Sequence, residues 1–252
     1  MIYGNMNVFK DVYVFWLDGV GEVPSSSNNK RWFMSGEKMD IDIRRNFELM
    51  GVLFSPDYDN IMEYYNLVNK PINELLKNWD EFKIAFMGRV IFTDQFFRHI
   101  FRNEAHAYVW ELINRNVIIE FLKKISFSGK ELFKLFSLAE ILFLLLPLVH
   151  YEPGRGNKMR IGLNKCFYFE IEKVLNIWKE IDEKLPELVD ENKVNDYRQF
   201  IGKAIHNVKR HYEELKMNNG VYPKRNDIYV LKKPNIDNPS LETYNREPSL
   251  DN

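Results

Sequence analysis

An all-α fold follows from three features of the sequence. Apolar residues recur at i, i+3, i+4 and i+7 in one segment after another. The alternating apolar–polar runs that mark strands are weak throughout. Short stretches of turn residues separate the periodic segments. Together these give helices of about 10–20 residues, joined so that neighbours can run antiparallel.

Val12–Leu17 is apolar enough for a strand or a helix, and Asn7, a plausible N-cap, favours the helix. Gly19–Asn29 clusters Gly, Pro, Ser and Asn and reads as a loop. Over Asp40–Gly51, Ile43, Phe47 and Met50 repeat at helical spacing, with Gly51 where a C-cap would sit. Asp57–Asn69 is a further helix. Pro71 fits the first turn of the next, which runs through Leu75, Leu76, Trp79 and Phe82. Ala85–Arg102 is the strongest helix of the first half; Asn103 ends it, and Glu104–Lys124 follows. Gly129–Leu146 is long and apolar, broken near Pro147. Pro153–Gly162 is a loop carrying Arg155, Lys158 and Arg160. Cys166–Lys184 is amphipathic, and Pro186 separates it from a last helix over Asn192–Met217. Residues 1–230 form one helical domain on this reading, and 231–252, rich in Pro and poor in apolar residues, form a loosely held tail.

Composition excludes several classes of function. Of the 252 residues, 45% are hydrophobic and 28% charged, enough to bury a core without disulfides or a structural metal. One cysteine, Cys166, excludes an intrachain disulfide and a cysteine-rich zinc site, and fits a reducing, cytoplasmic compartment. A net charge of −1 gives no electrostatic case for nucleic acid or an anionic membrane. The apolar run Ile141–Val149 is far shorter than the ~20 residues of a spanning helix. Motifs for phosphate loops, dinucleotides, zinc proteases, calcium loops and serine hydrolases are absent, so no cofactor and no metal are expected.

The segment Asp94-Gln95-Phe96-Phe97-Arg98-His99-Ile100-Phe101-Arg102 concentrates polar chemistry in apolar surroundings. At about 100° per residue, Asp94, Arg98 and Arg102 share a stripe with Gln95 beside it. Two arginines with an orienting acid suit a carboxylate or phosphate. The same spacing also suits a ladder of ion pairs that only stabilises the helix, at about 0.2–0.5 kcal/mol per pair. His150 and Glu152 follow Pro147 and fit either a general base with its orienter or a hydrogen-bonded helix end.

Six blocks in order, at residues 14–17, 31–33, 39–47, 94–102, 144–152 and 220–226, resemble a bacterial and lower-eukaryotic family known only as a domain of unknown function. Val14-Phe15-Trp16-Leu17 is similar to its FWF element, and Arg31-Trp32-Phe33 to its RWF. Met39–Phe47 is similar to FDxxIxxxF, Asp94–Arg102 to DQFPRNIYR, and Leu144–Glu152 to LYLPLEHSE. Gly220–Asn226 is similar to GRFPHRN. The resemblance implies a tetratricopeptide-like superhelix of stacked antiparallel helices and no assigned reaction. Phe97, His99, Val149, Tyr151 and Lys224 depart from the family pattern. Asp94, Gln95, Arg98, Arg102, His150, Glu152, Arg225 and Asn226 keep it and form the candidate site.

Two readings follow. In one, a helical scaffold presents Asp94, Gln95, Arg98, Arg102, Arg225 and Asn226 in a groove for an acidic peptide or a small anion. In the other, a small-molecule enzyme, such as a hydrolase, uses His150 and Glu152 beside an arginine clamp.

Overall fold

The computed structural model describes residues 6–54, 56–102, 104–152, 163–218 and 222. Helices build it, and there is no strand among these residues. The predicted loop Pro153–Gly162, the tail, Arg225 and Asn226 lie outside the described residues.

Helix α1 (Met6–Leu17) packs against α6 (Trp79–Ile91). Asn7 lies inside α1 rather than capping it. Helix α2 (Ser26–Met34) occupies part of the segment read as a loop. Its Ser25 and Asn28 form a reciprocal capping box, so the polar run that suggested a loop starts a helix. Helices α3 (Glu37–Leu53) and α4 (Tyr58–Val68) follow, α4 capped by Asp57. The helix expected from Pro71 through Phe82 breaks at Asn78 into α5 (Ile72–Lys77) and α6.

The single helix expected over Ala85–Arg102 is three pieces. Helix α6 ends at Ile91, Phe92–Phe96 make a turn of π-helix, and α7 (Phe97–Ile100) completes it. Ala105–Tyr108 is a 3₁₀ turn, so the next α-helix, α8 (Glu111–Lys124), starts later than expected.

The apolar stretch after Ser128 also divides, into α9 (Gly129–Leu135) and α10 (Leu138–His150). Ser137 caps α10 in a capping box with Glu140. Pro147 does not break α10: it falls in the last turn, where it removes one backbone donor while Leu144, Leu145, Leu148 and Val149 stay buried. Helix α11 (Leu163–Leu188) likewise runs through Pro186, and a 3₁₀ turn leads into α12 (Val194–Met217). Ser137→Ala removes the cap oxygen that accepts from Glu140 N and is expected to cost about 1 kcal/mol. A thermal melt of the variant should show that drop, and an unchanged midpoint would mean that burial alone holds the start of α10.

The core is dense in aromatics meeting edge to face. Phe96 lies 5.5 Å from Trp16, 4.9 Å from Phe47 and 5.7 Å from Phe15, centroid to centroid. Phe143 of α10 packs on Trp16 and Trp32, which brings α1, α2 and α10 together. Helices α8 and α10 pack side by side, with α4 and α6 beside them, while α9, α11 and α12 form a second packed group. Among the described residues, no helix is long and apolar enough to cross a membrane.

Candidate functional site

The π-turn runs through the middle of the core, and all five of its residues are buried. Thr93 donates to the backbone of Arg89 at 2.7 Å and meets Asn114 Oδ1 of α8 at 2.8 Å. Asp94 and Gln95 are therefore interior groups, 2% and 6% exposed.

A buried carboxylate persists only when charge and hydrogen bonds compensate it. Arg98 Nη2 lies 2.9 Å from Asp94 Oδ1, and Gln95 Nε2 donates to Oδ2. His150 Nδ1, from the last residue of α10, lies 3.1 Å from Oδ2. Burial alone would raise the Asp94 carboxyl, but Arg98 and then His150 outweigh it and hold the group well below the usual carboxylate range.

Arg98 is shared. Its Nη2 also reaches Glu111 Oε1 at 2.8 Å, and its guanidinium lies 5.0 Å from the centre of the Tyr108 ring. Burial would weaken its charge, but Asp94 and Glu111 hold its pKa above the ordinary arginine value. One cation thus sits between two carboxylates.

Arg102 does not join this cluster. Helix α7 stops at Ile100 and Phe101 leaves the helical conformation, which ends the predicted stripe after Arg98. Arg102 bonds Asp40 of α3, as does His99. The polar segment therefore feeds two clusters, Asp94–Arg98–Glu111–His150 and Asp40–His99–Arg102.

His150 is brought to Asp94, while Glu152, buried two residues beyond it, lies past the end of α10. The imidazole of His150 meets that of His211 edge to face at 6.2 Å, and His211 meets Tyr222 at 5.5 Å. Tyr222 donates to Val149 O at 2.7 Å, which ties its side chain to the end of α10. Sequence reasoning missed Asp40, Glu111, Tyr108 and His211. Only Asp40 has a local signal, as the acid of the FDxxIxxxF-like block; the others meet the motif through tertiary packing alone.

With its Nδ1 on a buried carboxylate, an imidazole has a fixed orientation and can exchange a proton through the other ring nitrogen. His150 retains 15% of its side-chain surface. Among the described residues no group of His, Cys, Asp and Glu is arranged to hold a metal ion. A cleft of about 440 Å³ between Glu22, Phe133, Asp190 and Tyr197 is lined by neither cluster.

Neither a curated protein nor a solved structure matches the chain. A family model does, over residues 12–235, and by that match the chain belongs to the family described as bacterial protein of unknown function (DUF924).

Proposed function

We propose that the protein carries an acid–base site centred on His150, with Asp94 as the group that orients it. The observation behind this is the 3.1 Å contact between His150 Nδ1 and a carboxylate that is almost wholly buried and kept ionised. A carboxylate so placed fixes the imidazole tautomer and stabilises the imidazolium formed when Nε2 takes a proton. Arg98 and Gln95 act behind it by holding Asp94 still. Asp94 takes the orienting role that the sequence suggested for Glu152.

The charge around Arg98 shapes the expected substrate. Among the described residues, Asp94 and Glu111 both lie on the one guanidinium of Arg98, so these three side chains are net negative beside His150. A neutral or weakly cationic small molecule suits it better than a phosphate or an acidic peptide. The groove reading has less support, since Asp94 and Gln95 are buried and Arg98 already holds two carboxylates.

A panel of neutral chromogenic esters, amides and glycosides, with inorganic phosphate and an acidic peptide as anionic controls, tests this. Turnover or thermal stabilisation by a neutral probe is expected in the wild type. It should fall at least ~100-fold in His150→Gln and be weakened in Asp94→Asn, with both variants folded by circular dichroism. Response to the anionic probes alone, or activity unchanged in His150→Gln, would overturn the proposal.

A further inference from the structure

Asp40 lies on the inner face of α3 with two bases against it. His99 Nδ1 is 2.5 Å from Oδ1. Arg102 meets both oxygens, through Nε at Oδ2 and Nη2 at 2.6 Å from Oδ1. The two bases also touch each other, with Arg102 Nη2 3.3 Å from His99 Nδ1. One carboxylate therefore serves two groups that can both be cationic.

The two differ in access to water. The His99 side chain is 11% exposed, and its ring lies edge-on to Trp16 of α1, 5.9 Å between centroids. The Arg102 side chain is 46% exposed. With His99 neutral, Nδ1–H donates to Asp40, and the cluster holds one anion and one cation. A proton from solvent on Nε2 makes two cations at hydrogen-bond range for one carboxylate. Only Arg102 can move into water without emptying part of the core.

We propose that His99 is a proton-operated catch: when protonated it keeps Asp40, and Arg102 swings free as a solvated surface cation. Among the described residues, the charged groups facing His99 are Asp40 from α3, Arg102 beyond α7, and Arg98 on α7 itself. Helix α1 contributes Trp16, and Tyr108 of the 3₁₀ turn faces Arg102. Arg98 is held by Asp94 and Glu111, so Arg102 is the cation that yields. Burial, with Arg102 and Arg98, outweighs Asp40 and holds the imidazole below its ordinary value of 6.5, so release occurs on the acid side of that pH. Acidification then adds a free guanidinium, an acceptor for anions, to a surface that offers none at that position near neutrality. The proposal is independent of the His150 reading.

Nitrogen-15 NMR of the arginine side chains in the full chain tests it, from about pH 7.5 to about pH 5. The Arg102 Nε–H should exchange slowly with water near neutrality and quickly once His99 has titrated. In His99→Gln, which keeps a donor for Asp40 but cannot titrate, Arg102 should stay protected across the range. In Arg102→Gln, His99 should titrate at higher pH than in the wild type, because a neighbouring like charge is gone. Arg102 protected through the whole His99 titration, or released equally in His99→Gln, would overturn the catch. If His99→Gln does not fold, the Arg102→Gln arm still decides, since an unchanged His99 midpoint refutes it.

Discussion

Gly88→Ala is expected to be among the most damaging single-methyl changes in this protein. Within a helix, alanine is normally the better residue by about 1 kcal/mol. Here the added Cβ would lie 2.0 Å from the Phe9 carbonyl oxygen and 2.7 Å from its carbon. Those atoms are α1 backbone, so no side chain can rotate away, and α1 must lift off α6. Phe9 packs on Phe54 at 5.1 Å and on Phe92 at 6.2 Å, and the guanidinium of buried Arg89 lies 5.0 Å from its ring. A shift of α1 disturbs all of these at once. Strain of that kind should exceed the propensity gain and destabilise by about 3 kcal/mol or more. Gly202→Ala in α12 is the matched control: nothing lies within 4 Å of its added Cβ, and a gain of about 0.5–1 kcal/mol is expected. Urea unfolding of both variants should move the midpoints in opposite directions. A Gly88→Ala midpoint at or above wild type would show that the α1–α6 approach is not a fixed contact.

Arg98→Ala is the second large loss. It leaves Asp94, whose side chain is 1% exposed, without its main counter-charge, and leaves Glu111 without the guanidinium it meets. Breaking a buried pair from one side costs about 3–5 kcal/mol. The lower end is expected because Arg98 itself is 18% exposed. Acid should reach the same cluster from the other side. The Asp94 carboxyl is lowered in the folded state from its ordinary 3.8, so in acid the unfolded chain binds the proton more readily. Its contribution is therefore complete above that value and is lost as pH falls below it towards the folded pKa. Wild type should lose stability more steeply in that window than Asp94→Asn. Equal slopes would mean that other carboxylates govern acid unfolding.

The all-α class was legible because helical periodicity survives in almost every segment. Boundaries were less so where two signals competed. Ser25 and Asn28 belong to a run of serines and asparagines that serves equally as a loop, and their capping box together with packing of Trp32 against Phe143 decides for helix. The Ser137–Glu140 cap was readable, yet the apolar stretch around it masks the break at Phe136. In the site, the Asp94–Arg98 pair was legible because four residues of spacing put them on one face. The contact between Asp94 and His150 spans 56 residues and depends on α10 packing against α6 and α8, which no local pattern encodes. His99 stood out only as a departure from the family-like pattern, and its partner Asp40 lies 59 residues away.

The π-turn at Phe92–Phe96 has a consequence for how this segment tolerates changes in length. A π-turn holds one residue more than the α-helical turn it replaces. Deleting a single residue from it would restore regular helix and keep the hydrophobic composition. Because the wider turn takes up that residue within one revolution, the residues downstream would keep nearly their rotation relative to α6. His99 would keep its approach to Asp40, and the change would fall on the turn itself, where Asp94 and Gln95 sit. A gap of one residue here would therefore disturb the Asp94 cluster and spare the Asp40 cluster.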